Sequence, residues 1–149
     1  LVDSKQKGAR AELAARDKLR ELTGLKWERI PASGALGAQH GMKGDLYVPQ
    51  AMNVYAVEVK HYKDDQLTSK VLSGNNPQVI KWWIQAVRQA NQTNKSPLLL
   101  FKYNRSKWFI ATCDEINGCA HMYINKNNHS FYVALLEDWI KYEEPIFII

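Results

Sequence analysis

The sequence predicts an α/β fold, a central mixed β-sheet flanked by helices. Three observations predict it. Residues Ser4 to Leu22 carry small and apolar residues at helical spacing. Between Val54 and Phe101 a strand, a helix and a continuous apolar strand follow one another, the order that builds a sheet through a crossover helix. From Trp108 onward, short strand-like segments are separated by polar turns, as in antiparallel hairpins. A length of 149 residues, 46% hydrophobic and 23% charged, suits one domain with a real core, expected to span residues 1–149.

The first helix is expected over Ser4–Leu22, capped by Asp3 or Ser4 and ended by Gly24. Gly8, Glu12, Ala15, Leu19 and Leu22 share one stripe, apolar except for Glu12. A carboxylate on a core-facing stripe costs several kcal/mol, of order ~3–5, unless an arginine or a metal partners it. Gly8, one turn earlier, leaves room for backbone or phosphate. Arg10, Arg16 and Arg20 face the other way, toward solvent or phosphate. Lys26–Ile30 reads as a short strand. The loop from Pro31 to Gly44 holds glycines at 34, 37, 41 and 44 with Ser33, His40 and Lys43.

Asp45–Val48 and Val54–Lys60 are expected to pair antiparallel across the turn Pro49–Asn53. His61–Asn76 is polar and reads as a loop or linker. Asn76-Pro77 opens a helix that runs to about Asn91, with Pro77 at its first position. Its core stripe is Val79, Trp83, Ala86, Val87 and Ala90, with Trp82, Gln85 and Gln89 beside it. Leu98–Phe101 is apolar throughout, as in a strand covered on both faces. Asn104–Lys107 turns it into Trp108–Thr112. Met122–Ile124 and Ser130–Leu135 form a hairpin around Asn125–Asn128, and Glu137–Tyr142 a short helix. The tail Ile146–Ile149 is too apolar for water and belongs in the core or between subunits.

No segment approaches the roughly 18 apolar residues of a membrane span, so no membrane partner is expected. The basic N-terminus has no apolar stretch after it, so no secretory signal is visible in the sequence. Cys113 and Cys119 do not make a zinc ribbon; reduced, partly buried thiols and a cytoplasmic location fit them. His40, His61, His121 and His129 lack ligand spacing. Lys43 precedes Gly44 and a strand, not Ser or Thr and a helix, which excludes a phosphate-cradling loop and a nucleotide cofactor. The net charge of +5 and pI near 9.2 favour a polyanionic partner.

The residues that carry chemistry are Glu12, Asp45, Glu58 and Lys60. Glu58 and Lys60 lie two apart on one strand and share a face, with Val57 and Val59 turned to the core. Three carboxylates suit a hard divalent cation, Mg²⁺ with Mn²⁺ as a substitute, rather than zinc. Such a cation activates water for phosphodiester hydrolysis. Lys60 would orient that water or stabilise charge at phosphorus.

Asp45 followed by Glu58-Val59-Lys60 resembles the PD-(D/E)XK nuclease superfamily, with Gly44 where the proline of the motif would stand. The larger pattern is more specific. Lys7-Gly8-Ala9-x-Ala11-Glu12, Arg29, Ala32-Ser33-Gly34, Gly44-Asp45-Leu46, Val57-Glu58-Val59-Lys60 and Leu98–Lys102 together resemble the archaeal-type Holliday-junction resolvases. The resemblance implies a restriction-endonuclease-like core and a Mg²⁺-dependent homodimer that nicks four-way DNA symmetrically. It implies metal ligation by Glu12, Asp45 and Glu58 and a catalytic Lys60. It places Ser33 near the scissile phosphate, and Arg29 and Lys102 on DNA. Lys43 and Arg10 are the further DNA-binding candidates. The chain departs from the pattern at Leu13, where the family often has a basic residue. The segment His61–Asn76 and the C-terminal third have no counterpart. A restriction- or repair-type nuclease and a non-catalytic DNA-binding module are the alternatives, and both a cellular and a viral origin stay open.

Overall fold

A computed structural model describes residues 4–31 and 43–149, with the backbone alone for residues 4–7. The Asp3 cap, Ser33, His40 and most of the Gly-rich loop lie outside the described residues. The first helix, α1 (Ser4–Thr23), ends as the sequence predicts. Gly24 has φ +73°, and its N–H reaches back to the Arg20 carbonyl at 2.9 Å.

Among the described residues, β1 (Glu28–Arg29), β2 (Leu46–Tyr47), β3 (Tyr55–Tyr62), β4 (Ser96–Tyr103), β5 (Phe109–Thr112), β6 (Met122–Lys126) and β7 (His129–Leu135) form one sheet, ordered β1-β2-β3-β4-β5-β7-β6. The β3–β4 pair is parallel and the remaining neighbours are antiparallel, so the sheet is mixed. Three further helices lie among the described residues: α2 (Lys70–Ser73), α3 (Gln78–Gln92) and α4 (Leu136–Glu143). None of the described helices is long and apolar enough to cross a membrane.

The sheet has apolar layers on both faces, because β3 and β4 alternate into both. Val57, Val59, Leu98 and Leu100 pack with Ala15 and Leu19 of α1 and Trp139 of α4. Leu99 and Phe101 pack with Val79, Ile80, Trp82 and Trp83 of α3. The parallel pair needs a crossover, and α3 supplies it from the second face. Trp82 is buried, edge-on to Tyr62 and against Phe101, so it is core and not a base-stacking surface.

Several boundaries differ from expectation. Pro77, with φ −63°, caps α3 from outside and the helix begins one residue later. The polar segment after β3 is not wholly loop, since it contains α2. Lys126 Nζ satisfies carbonyls at the end of this helix, donating to those of Val71, Leu72 and Gly74 at 2.7, 2.8 and 2.6 Å. The β6–β7 turn is tighter than expected: Asn127 and Asn128, with φ 52° and 65°, turn the chain alone. The tail meets the core through Phe147, with the partly buried Ile148 packed against it. Phe147 packs on Trp27, Tyr55 and Trp139, while Ile146 and Ile149 stay exposed. Cys113 is exposed, not partly buried, and both thiols are free.

Candidate active site

The site forms where β2 leaves the sheet. The β2–β3 ladder stops at the pair Leu46–Val57, so among the described residues β3 beyond Val57 has no strand on that side. Asp45 takes over. Its backbone N–H donates to the Val57 carbonyl at 2.6 Å, and its carboxylate accepts from the Val59 N–H at 2.7 Å. Gly44 allows this approach. It has φ +101°, and a Cβ there would stand 2.5 Å from the Val57 carbonyl oxygen. The residue before Asp45 therefore has a backbone reason to be glycine.

On β3, Glu58 points to the α3 face, and it is 4% exposed. Its Oε1 accepts from Gln85 Nε2 at 3.0 Å and faces Lys60 Nζ at 3.6 Å. Its Oε2 is buried with no donor. Burial raises the Glu58 pKa, and the Lys60 charge opposes the shift. Burial also raises Asp45, the Glu58 charge adds to it, and the result is about 8; the Val59 hydrogen bond and Lys60 pull the other way. Two carboxylates that resist ionising side by side are poised for a positive partner.

Glu12 approaches from α1, close enough for its charge to raise both carboxylates. Its side chain is 20% exposed and ion-pairs with Arg29 at 3.3 Å. The carboxylate on the α1 stripe thus has an arginine partner, and Arg29 is held at the site rather than free on the surface. A methyl at Gly8 would lie 3.9 Å from Glu12 Oε2, ordinary contact, so this glycine leaves space without being required.

Asp45, Glu58, Lys60, Glu12 and Arg29 are therefore brought together, while the other candidates are not in that group. Arg10 is exposed on α1. Arg20, expected toward solvent or phosphate, instead holds the Trp27 carbonyl at 2.8 Å and pairs with Glu28. Lys102 lies on the opposite sheet face from Glu58, its Nζ 5.6 Å from the Trp108 ring centroid. Lys43 lines a groove of about 800 Å³ with Tyr47, Met52, Asn53, Lys95 and Ile149, whose lining includes none of Asp45, Glu58 and Lys60. Ser33 lies outside the described residues. Gln89 was not singled out for the site, although it follows Gln85 by one helical turn on the same side of α3.

Among the described residues, no three acidic, histidine or cysteine side chains converge as a finished cation cage. The donor chemistry nonetheless suits a hard cation. It consists of carboxylate oxygens, two of the groups mutually repelling, one of them with a buried oxygen that has no donor.

Residues 3–145 match the family described as "Phage putative PDDEXK endonuclease". The chain is 42% identical over 148 residues to Protein D14 of Escherichia phage T5, covering 93% of this chain and 92% of that protein. It is similar to the solved structure of Hjc, a Holliday junction resolvase from Archaeoglobus fulgidus, at 19% identity and a TM-score of 0.43, over 95% of this chain and 92% of that one.

Proposed function

The chain belongs to the phage PDDEXK endonuclease family, a nuclease family of the PD-(D/E)XK superfamily, and from that premise we propose that it resolves branched DNA as a Mg²⁺-dependent endonuclease. The observation that carries the metal dependence is the Asp45–Glu58 pair with Lys60 beside it. Asp45 and Glu58 would hold the cation, with Glu12 contributing from α1 and exchanging its Arg29 partner. Mn²⁺ would substitute, because the donors are all oxygen.

Bound there, the cation supplies an activated water and offsets charge on the scissile phosphate. The chain's own residues do the rest. Lys60 faces Glu58 across 3.6 Å and is 27% exposed, so its ammonium reaches both the carboxylate and an incoming phosphate. It donates hydrogen bonds to the attacking water or to the phosphoryl oxygens as charge builds. Glu58 keeps that ammonium in place. Gly44 fixes Asp45 against β3, so the carboxylate is set before DNA arrives. Arg29, paired with Glu12, would meet a phosphate, and Ser33 would act near the same group.

The preference for a four-way junction rests on the motif pattern from Lys7 to Lys102 and on the +5 charge. Lys43, with Arg10 and Lys102, would contact the phosphate backbone. Such contacts make binding fall steeply with salt, and branch shape rather than base edges would set specificity. Paired cuts need two sites related by a two-fold axis, which an isologous dimer of this single nuclease domain provides. The place of action would be the cytoplasm of the host cell.

The test is cleavage of a labelled four-way junction against linear duplex of the same sequence, with Mg²⁺ and with EDTA. The proposal expects Mg²⁺-dependent paired nicks in the junction and little cutting of the duplex. Equal cutting of duplex would make it a restriction- or repair-type nuclease. Binding without cutting would make it a non-catalytic module.

A further inference from the structure

Along β3, Glu58, Lys60 and Tyr62 stand in one row on the face toward α3, because alternate residues of a strand share a face. Glu58 and Lys60 belong to the candidate centre, and Tyr62 ends the row. At ~3.3 Å per residue it lies about 7 Å beyond Lys60, roughly two base steps of duplex at ~3.4 Å each. Its ring is 44% exposed. The ring is also held. Trp82 meets it edge-on with centroids 5.0 Å apart, and Trp82 is itself buried against Phe101. Tyr62 is therefore a fixed aromatic surface, half open to solvent, at the end of the row that carries the chemistry.

The chain beside it is arranged as well. The parallel ladder ends at the pair Tyr62–Tyr103. Asn104 then ties the β4–β5 turn back to β3: its N–H donates to the Lys63 carbonyl at 3.3 Å, and its Oδ1 lies 2.9 Å from His61 Nε2. Arg105, the next residue, is thereby carried at the end of β3. It is exposed, with φ +69°, a left-handed conformation that side chains rarely adopt and that clusters at ligand contacts. Asp64 and Asp65, the acidic residues nearest in sequence, line a cleft with Thr68 and Ser69 that includes neither Tyr62 nor Arg105. In continuous duplex each base face is covered by its neighbours. Where strands change partners the stack is interrupted and a base face is open. An aromatic side chain can cover that face and cannot reach one inside a continuous stack.

We propose that Tyr62 reads the branch: its ring stacks on the base left open where strands exchange, next to the phosphate that Lys60 meets, and Arg105 holds a neighbouring phosphate. This rests on the branched-DNA reading above and names a source for its selectivity. Carboxylates, a cation and Lys60 meet phosphate alone, and phosphate is the same in every DNA.

The experiment is fluorescence anisotropy of a labelled four-way junction and of linear duplex of the same sequence, in EDTA so that neither is cut. The full chain is measured as wild type, Tyr62→Phe, Tyr62→Leu and Arg105→Gln, each over a range of salt. Losing a base–aromatic stack weakens binding by about 5–100-fold. Tyr62→Leu is therefore expected to bind the junction at least ~5-fold more weakly, with its duplex affinity unchanged. Tyr62→Phe keeps the ring and should match wild type on both DNAs. Arg105→Gln should weaken both alike and lower the slope of log affinity against log salt by about one. An unchanged slope overturns the part given to Arg105. Equal losses on junction and duplex in Tyr62→Leu overturn the inference. So does a loss in Tyr62→Phe as large as that in Tyr62→Leu, the mark of a hydroxyl contact and not a stack. If wild type prefers the junction and Tyr62→Leu keeps that preference, the branched-DNA reading stands and Tyr62 only covers Trp82. If wild type has no preference, the branched-DNA reading fails and the inference fails with it. Should Tyr62→Leu not fold, Tyr62→Met is measured in its place, with the same loss expected because it too lacks a ring.

Discussion

Replacing Asp45 with asparagine should make the metal-free protein more stable while it abolishes cutting. The cause is the raised pKa. Burial and the Glu58 charge lift Asp45 from 3.8 to about 8. For a group whose folded pKa is raised, the contribution to stability is fully present below the unfolded value and is lost as pH rises through the folded one. Metal-free wild type should therefore lose stability between about pH 4 and pH 8 from this group. At ~1.4 kcal/mol per pKa unit, the loss at pH 7.5 has an upper bound of roughly 5 kcal/mol. An asparagine oxygen can still accept from Val59, but burying its amide costs about 1–3 kcal/mol. A net gain of about 2 kcal/mol is expected, which is roughly 4–8 °C in melting temperature for a chain of this size. The assay is thermal denaturation followed by circular dichroism, in EDTA, at pH 7.5 and pH 5. The variant should melt higher at pH 7.5, and the gap should close at pH 5. Excess Mg²⁺ should stabilise wild type more than the variant. A variant that melts at or below wild type in EDTA at pH 7.5 would refute the view that these carboxylates strain the fold for a positive partner.

Other elements make separate predictions. Gly44→Ala places a Cβ 2.5 Å from the Val57 carbonyl oxygen at a φ of +101° and should cost roughly 2–4 kcal/mol in urea unfolding. Stability equal to wild type would mean that Asp45 is held in another way. Lys126→Met strips the donor from the Val71, Leu72 and Gly74 carbonyls. Amide exchange across residues 64–76 should then speed up, while the β3–β4 core stays protected. Phe147→Ala removes the ring that meets Trp27, Tyr55 and Trp139 and should cost about 3–5 kcal/mol by chemical denaturation. A loss below ~1 kcal/mol would show that the tail is not part of the core.

What the sequence makes legible follows from how local each signal is. The apolar run Leu98–Phe101 reads as a two-faced buried strand because both faces are in fact covered. Glu58 and Lys60 share a face by strand period alone, and their ion pair follows. The α2 helix has no such signal. Its last carbonyls are held by Lys126, more than fifty residues away in the chain, and nothing near Lys70 announces that. The Glu12–Arg29 pair is of the same kind: the stripe of α1 shows that the carboxylate needs a partner, but only the fold selects arginine. The shortness of β2 is also tertiary, since Asp45 leaves the ladder to cap Val59 with its side chain. Gln89 escapes notice because a glutamine on a half-buried helix face is ordinary until Glu58 is placed opposite it. The glycine before Asp45 is visible in the sequence, while its reason, contact with the Val57 backbone, is not.

The central claim is that Asp45, Glu58 and Lys60 form one hydrolytic centre. Its most direct measurement is the single-turnover rate at which Lys60→Ala cuts a labelled four-way junction in Mg²⁺, with bound junction quantified in the same reaction. The account predicts a rate lower by about 10²–10³-fold or more, with junction binding nearly intact. Cutting at the wild-type rate by Lys60→Ala would contradict it.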